Sequence, residues 1–423
     1  VDPDAVNRLN RQLVAFEAKM DDYRRRARVL AAAELTHLLL GGVYAWSVYS
    51  PKLVSTHGFS RLATQLAFGT TIAMFTVAMV FAGRVTHRYG ARTLLCFAAL
   101  AYGAGYGLAA ALGATVPATL LGVGVLSGIG IGVGYVSTLT SAVAAFQRGR
   151  GLVTGFVTGA FAAGSALLAP AVDAVLDAGF SVPEVFAVQG ALGCLGLMIA
   201  SLGVPSASSS ARLDTTTEQP RALTPGVMTW NTAGLFTASF SGLLVIGSLA
   251  SIATEHSSGR SIGAHAVIAF ALGNTIGRPT WGFLFDRYGP STAPLALATL
   301  GVATLSLAHG PLPEWGVLAS SLCIGFGFAS AFVLYAANTV RHFGLASLGR
   351  VYPLIFLSYG LAALLGPTLG GLIFDLSGTS DGALMTAAGI AILTALGLAA
   401  TVSRLNHPSR ETSANLGSKQ PAE

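Results

Sequence analysis

The sequence predicts an all-α membrane protein of twelve transmembrane helices in two pseudo-symmetric six-helix bundles. Three observations carry that reading. Only 10% of the 423 residues are charged and 53% are hydrophobic, whereas a soluble domain carries roughly 25% charged residues. Twelve mostly apolar stretches begin near Val29, Leu62, Thr93, Ala118, Gly151, Glu184, Gly226, Ser261, Ser291, Glu314, Val351 and Gly382, each close to the ~20 residues that one bilayer crossing requires. Local patterns of the first half also recur in the second at a nearly constant offset.

In chain order, residues 1–28 end in "DDYRRRAR". Asp2, Asp4, Glu17, Asp21 and Asp22 set them apart from acid-poor transit peptides, so a cytoplasmic arm is expected. The chain starts with Val rather than Met, and its native beginning is expected to lie upstream. Residues 29–204 hold the first six spans. "PSASSSARLDTTTEQPRALTP", residues 205–225, has the composition of a flexible linker and is expected in the cytoplasm. Residues 226–404 hold six more spans, and 405–423 form a short polar cytoplasmic tail. The 52 glycines suit helices that must approach closely where lipid supplies no hydrophobic drive for association. Cys96, Cys194 and Cys323 fall inside apolar stretches and read as small core residues, not disulfide or metal partners.

The net charge of +6 is a topology signal. With the N-terminus in the cytoplasm, twenty Lys and Arg residues lie on that side, Lys52, Arg61 and Arg260 on the other, and Arg278 alone within the bilayer. The positive-inside rule therefore puts both termini in the cytoplasm, at a plasma membrane in preference to an organelle membrane. No nucleic acid, cofactor, metal or catalytic residue is expected. The sequence has no metal-ligand cluster, nucleophile motif or phosphate loop, and the glycine run "GVGVLSGIGIGVG" lacks the preceding strand that a dinucleotide site needs.

The repeat is visible in two places. "GRVTHRYGAR" at 83–92 matches "GFLFDRYGPS" at 282–291, and Gly83 and Gly282 are 199 residues apart; "GSALLAPAVDAVLDAG" at 164–179 matches "GPTLGGLIFDLSG" at 366–378, with Pro170 and Pro367 197 apart. Such agreement indicates a duplicated six-helix unit, an architecture that holds its site near the midplane between the repeats. In the G-x-x-x-D-R-x-G pattern, Gly83, Arg88 and Gly90 of the first copy and Gly282, Asp286, Arg287 and Gly289 of the second are gating candidates. Glycine permits close packing, and acid and arginine can pair across the helices they join. His87 stands where the first-half acid belongs, leaving Arg88 without its usual neighbour. Plain basic turns are the alternative.

This pattern resembles the cytoplasmic signature of the major facilitator superfamily. A closer resemblance covers residues 38–376. "LLLGGVYAWSVYSPKL", "GIGIGVGYVSTLTSAVAAFQRGRGLVTGFVTGAFAAGS", "SGLLVIGSLASIA" and "RVYPLIFLSYGLAALLGPTLGGLIFD" look like the oxalate/formate antiporter family, which includes bacterial relatives of monocarboxylate transporters. The resemblance implies a major facilitator fold and a carrier for small carboxylates. It also implies that the arginine of span 8, Arg278, binds and couples the substrate, with Asn274 one turn away beside it.

The residues themselves support Arg278. It precedes Asp286 by eight residues, ~12 Å of helix, which sets it near the centre of a ~30 Å hydrocarbon core. An arginine there costs ~2.5–3.5 kcal/mol, so it should face a polar cavity or an anion, and its planar fork suits a carboxylate. A structural ion pair is the alternative, as is a helix-to-helix hydrogen bond for Asn274. The same arithmetic puts Tyr359 level with Arg278, Phe332 near that level with Phe328 one turn away, Tyr135 deeper, and Tyr44 and Trp46 further out. Aromatic residues on spans ordinarily pack or form interfacial belts. Cavity positions implied by the resemblance select Tyr44, Tyr135, Phe332 and Tyr359 as substrate-binding candidates and leave Trp46 to packing.

Family members that exchange oxalate resemble this chain in span 11 but carry a lysine where Tyr359 aligns, and this span has none. One central cation compensates one carboxylate and leaves a second one exposed to a low dielectric. Monoanions such as lactate, pyruvate or formate are therefore expected. Moving a charge costs ~2.3 kcal/mol per 100 mV, so a proton accompanies the anion or another anion leaves. Glu34 and His37, three apart in span 1, are the proton-coupling candidates, although Glu34, ~8 Å into the span, is also within reach of the interface. His265, near the outer end of span 8, reads first as an exposed or hydrogen-bonded histidine, with a place at the entrance as the alternative. The expected function is proton-coupled monocarboxylate transport by alternating access, with a small carboxylate anion, a proton or counter-anion and the lipid bilayer as partners, and with the monomer as working unit. An oxalate/formate exchanger and a non-transporting membrane sensor with a carrier fold are the alternatives.

Overall fold

The computed structural model describes residues 3–146, 149–206, 224–257, 262–344 and 348–406. Most of the expected linker, residues 207–223, and the tail from 407 onward lie outside the described residues, as do Arg148 and Arg260. The long helices are α1 (Pro3–Leu40), α2 (Trp46–His57), α3 (Arg61–Ala111), α4 (Gly128–Ala145), α5 (Arg150–Asp177) and α6 (Val182–Ser201), then α7 (Pro225–Ile246), α8 (Leu249–Glu255), α9 (Gly263–Tyr288), α10 (Thr292–Ala308), α11 (Glu314–Ala329), α12 (Leu334–Phe343), α13 (Leu348–Ser377) and α14 (Asp381–Asn406). Short 3₁₀ turns at Gly41–Ala45 and Ser330–Phe332 break spans 1 and 10. Strands are absent among the described residues.

Nine helical segments among the described residues are long and apolar enough to cross a membrane, and ten if the bent pair around Ala45 counts as one. One of them, His265–Ala308, is 44 residues long, twice what a crossing needs, and contains predicted spans 8 and 9. α7 falls outside that set because Asn231, Thr237, Ser239 and Ser241 lower its apolarity, and all four are buried in the protein. Twelve crossings are consistent with this arrangement.

The glycines that close the repeated motif have a specific job. α3 carries spans 2 and 3 as two helices joined at a kink, and the chain turns back at Gly90, with φ 77° and ψ 154°. Gly289, 199 residues later, turns between α9 and α10 with φ 63° and ψ −146°. Side chains clash in both conformations, so glycine is the residue that can reverse the chain there.

Packing repeats between the halves. In the first, α1 lies on α5 and α3 on both α4 and α6; in the second, α7 lies on α13, α9 on α11 and α10 on α14. The halves meet through α5 against α9 and through α13 against α3, two contacts related by exchange of the halves. Arg92, counted in the sequence as a topology charge, also caps α6: its Nε donates to the carbonyls of Ser201 at 3.1 Å and Val204 at 3.3 Å, and its Nη2 to Leu202 at 3.2 Å. A cation belongs at that negative helix end. Cys323, expected in the core, lies on the exposed surface, where an apolar thiol is as compatible with lipid as with protein.

Candidate functional site

Where α9 crosses α5, two glycines on α5 bring the backbones together. A Cβ on Gly155 would lie 2.7 Å from Pro279 Cα, and one on Gly159 3.5 Å from the Thr275 carbonyl. This approach lets Arg278 reach α5. Its Nη1 donates to the Thr158 carbonyl and its Nε to Asn274 Oδ1 at 3.1 Å. Its guanidinium carbon stands 4.0 Å from the centre of the Phe332 ring and 5.9 Å from that of Phe161. Arg278 is 0% exposed, its Nη2 has no hydrogen-bond partner, and among the described residues no carboxylate pairs with it.

Phe332 is set by the Ser330–Phe332 turn between α11 and α12, and Tyr359 of α13 packs on it at 5.3 Å between ring centres. Tyr359 Oη and Tyr44 Oη hydrogen-bond at 2.5 Å, joining the halves. Tyr135 stands 4.6 Å from the His37 ring and 5.5 Å from Phe161. The structure thus gathers Arg278, Asn274, Tyr359, Tyr135, Tyr44 and Phe332 around one centre. Asn274 spends its oxygen on the guanidinium.

His37 joins the same centre. Its Nδ1 lies 2.9 Å from the Ala33 carbonyl; a donor is required there, which leaves Nε2 as an acceptor, and that nitrogen is buried without a partner. Glu34 stands apart, partly exposed and three residues nearer the start of the span. His265 is exposed near the beginning of α9. Trp46 packs, donating to the Thr64 carbonyl at 2.9 Å, and Phe328 packs on Phe332.

Sequence reasoning missed Phe75, Phe161, Tyr352 and Phe356. Phe356 touches Tyr359 at 5.0 Å and Tyr135 at 6.0 Å. It lies three residues before Tyr359, and Tyr352 four before that, so a search along the face of α13 would have found both. Phe75 and Phe161 carry no comparable signal, because any apolar residue is permitted at those positions in a span.

The two ends of this centre differ. On the face where α9 ends, the Asp286 face, Asp286 accepts from the backbone N–H groups of Gly151 and Leu152 at the start of α5. No ion pair is seen between Asp286 and either Arg287 or Arg88. Free N–H groups and the positive end of the helix dipole make the α5 terminus the better partner for a carboxylate. Arg287 and Arg88 instead lie beside Tyr288 and Tyr89, at 5.6 Å and 5.4 Å. Gly282 meets the carbonyl of Gly151, Gly83 is buried, and the His87 side chain is outside the described residues. On the opposite face a cavity of about 390 Å³ opens between the halves, lined by Tyr44, Trp46, Phe68, Ile246, Ser248 and Val267 among others. Near that face Glu255, His256 and Asp381 come within 4.8 Å of one another, a grouping invisible in the sequence. Glu255 binds Ser380 N and Oγ, and His256 Nε2 binds Asp381 at 2.8 Å, so the group fastens α8 to the start of α14.

The sequence profile of the Major Facilitator Superfamily matches residues 36–253 and again 229–422. The chain belongs to the Major Facilitator Superfamily. It is an integral, multi-pass membrane transporter of that superfamily, not an enzyme. Among its superfamily relatives it is 26% identical to the uncharacterized MFS-type transporter YhjX of Escherichia coli K12, over 81% of this chain and 86% of that one. It is 25% identical to the oxalate:formate antiporter of Oxalobacter formigenes, over 85% and 87%, and 24% identical to apicoplast pyruvate carrier 1 of Toxoplasma gondii, over 57% of each. The human organic anion transporter MFSD10 superimposes with a TM-score of 0.65 at 16% identity, covering 88% of this chain and 99% of that one, a likeness of fold.

Proposed function

We propose that the protein is a proton-coupled carrier of small monocarboxylates of the lactate, pyruvate or formate type, working by alternating access as a monomer, with Arg278 binding the carboxylate. The observation that carries this reading is the fully buried guanidinium with an unpartnered Nη2 and no paired acid among the described residues. A buried cation without a counter-charge is costly, and a carboxylate arriving at Nη2 would supply both the charge and the hydrogen bond. Tyr44, Tyr135, Phe332 and Tyr359 enclose the small apolar part, Asn274 holds the guanidinium, and His37 or Glu34 handles the proton. Gly83, Arg88, Gly90, Gly282, Asp286, Arg287 and Gly289 form the gate of the Asp286 face, which we assign, with both termini, to the cytoplasm of a cell bounded by its plasma membrane. The names of the Oxalobacter and Toxoplasma relatives agree with a small organic anion as cargo.

Counterflow and uptake of labelled lactate, pyruvate, formate and oxalate in proteoliposomes, with and without a pH gradient, test this. Saturable monocarboxylate uptake driven by the gradient is expected. Losing one partner of a buried charge pair costs ~2–5 kcal/mol, so Arg278→Gln should lower uptake about thirtyfold or more. Undiminished transport by that variant overturns the assignment. The similarity to the oxalate:formate antiporter over most of both chains favours exchange as the second reading, and oxalate counterflow indifferent to the gradient would establish it.

A further inference from the structure

Outside this centre, four buried polar atoms on α7 and α12 lack hydrogen-bond partners: Trp230 Nε1, Asn231 Nδ2, Tyr335 Oη and Asn338 Oδ1. Asn338 Nδ2 donates to Asn231 Oδ1 at 2.8 Å. The Trp230 and Tyr335 rings are 6.1 Å apart, and the Tyr335 hydroxyl lies over Gly234, in space that a side chain would fill. All four residues are 5% exposed or less. Proteins pair roughly 90% or more of such buried groups, and each unmade bond costs ~1–3 kcal/mol. Two such pairs on adjoining stretches of the same two helices point to a shared partner.

The chemistry of that partner follows from the inventory. An indole N–H, an amide NH₂ and a phenol O–H are donors, and one amide oxygen is the only group limited to accepting. Exchanging oxygen and nitrogen in both amides leaves the same inventory. The cluster therefore favours a ligand that accepts hydrogen bonds, and it carries no charge of its own. Its place is equally specific. Asn231 follows the start of α7 by six residues and Asn338 precedes the end of α12 by five, so both lie ~8–9 Å from helix ends on the Asp286 face, shallower than Arg278. Tyr335 follows Phe332, the ring stacked on Arg278, by three residues.

We propose that this cluster is a second, transient station for the carboxylate, between Arg278 and the Asp286 face. The proposal rests on the carboxylate reading of the Arg278 site. Neutral donors hold an anion more weakly than a guanidinium does, which suits a position that must release it.

The test is the tryptophan emission of purified Arg278→Gln protein titrated with sodium formate, acetate, lactate, pyruvate and oxalate, with sodium chloride as the ionic-strength control. The expected result is a saturable change with at least one carboxylate, absent with chloride and abolished by adding Trp230→Phe. Adding Tyr335→Phe, which removes only the hydroxyl, should weaken it fivefold or more. No saturable, Trp230-dependent change, or an affinity untouched by Tyr335→Phe, overturns the station. Because the titration is made without Arg278, it is separable from the transport assay. Transport that ignores Arg278 removes the central anchor and leaves the station standing, whereas transport that requires Arg278 beside a flat titration removes the station alone.

Discussion

Arg278 is held by several groups and keeps one nitrogen without a hydrogen bond. Asn274 and the Thr158 carbonyl fix Nε and Nη1, Phe332 covers one face of the guanidinium, and Nη2 remains. A side chain immobilised in this way loses little further freedom when an anion binds. Asn274→Leu should therefore raise the KM for monocarboxylate uptake about tenfold by releasing Nε, and Asn274→Asp, which gives the guanidinium a resident carboxylate, should not recover it. Tyr359→Lys places a second cation beside the first across the Tyr44 contact. It should bring measurable oxalate counterflow to a protein that lacks it, and unchanged selectivity would argue that the charge count at this position does not select the substrate. Arg278 was legible in the sequence because a charge inside an apolar run is improbable unless something compensates it. Phe75 and Phe161, equally close to the centre, were not, since nothing local distinguishes an aromatic facing a cavity from one facing a neighbour.

Among the elements, the crossing of α5 and α9 positions the site and closes one end of it. The approach loosens with distance from the Asp286 face: a Cβ on Gly282 would lie 2.5 Å from the Gly151 carbonyl, and one on Gly159 3.5 Å from that of Thr275. Gly155→Leu should hold the helices apart and abolish transport while the protein still inserts, as size-exclusion profiles in detergent would report. Asp286→Asn removes the negative charge from the α5 N-terminus, an interaction of ~0.3–1 kcal/mol. It should shift the population modestly toward opening on that face, visible as about twofold faster maleimide labelling of Thr154→Cys, which lines a crevice beside Asp286. The repeated motif disclosed where these elements meet and where Gly90 and Gly289 turn the chain. It did not disclose the seat of Asp286 on α5, because a helix N-terminus offers donors that leave no mark on the side-chain sequence.

At the scale of the whole molecule, the halves touch through two symmetry-related helix pairs and enclose the centre, with a cavity on one side and the α5–α9 contact on the other. Ser248→Cys, in the cavity wall, should react with an impermeant maleimide from the face opposite Asp286, and saturating substrate should slow the reaction at least twofold as the halves rock. Labelling insensitive to substrate would contradict alternating access about this centre. The sequence alone determined the all-helical membrane class, the duplication and the single central cation, because each follows from hydropathy, internal repetition or charge, properties that a linear chain displays. Tertiary structure decided which groups surround that cation, that His37 joins it and Glu34 does not, and that Asp286 seats on α5. Those are contacts between residues from tens to about 315 positions apart, brought together by helix packing that hydropathy leaves undetermined.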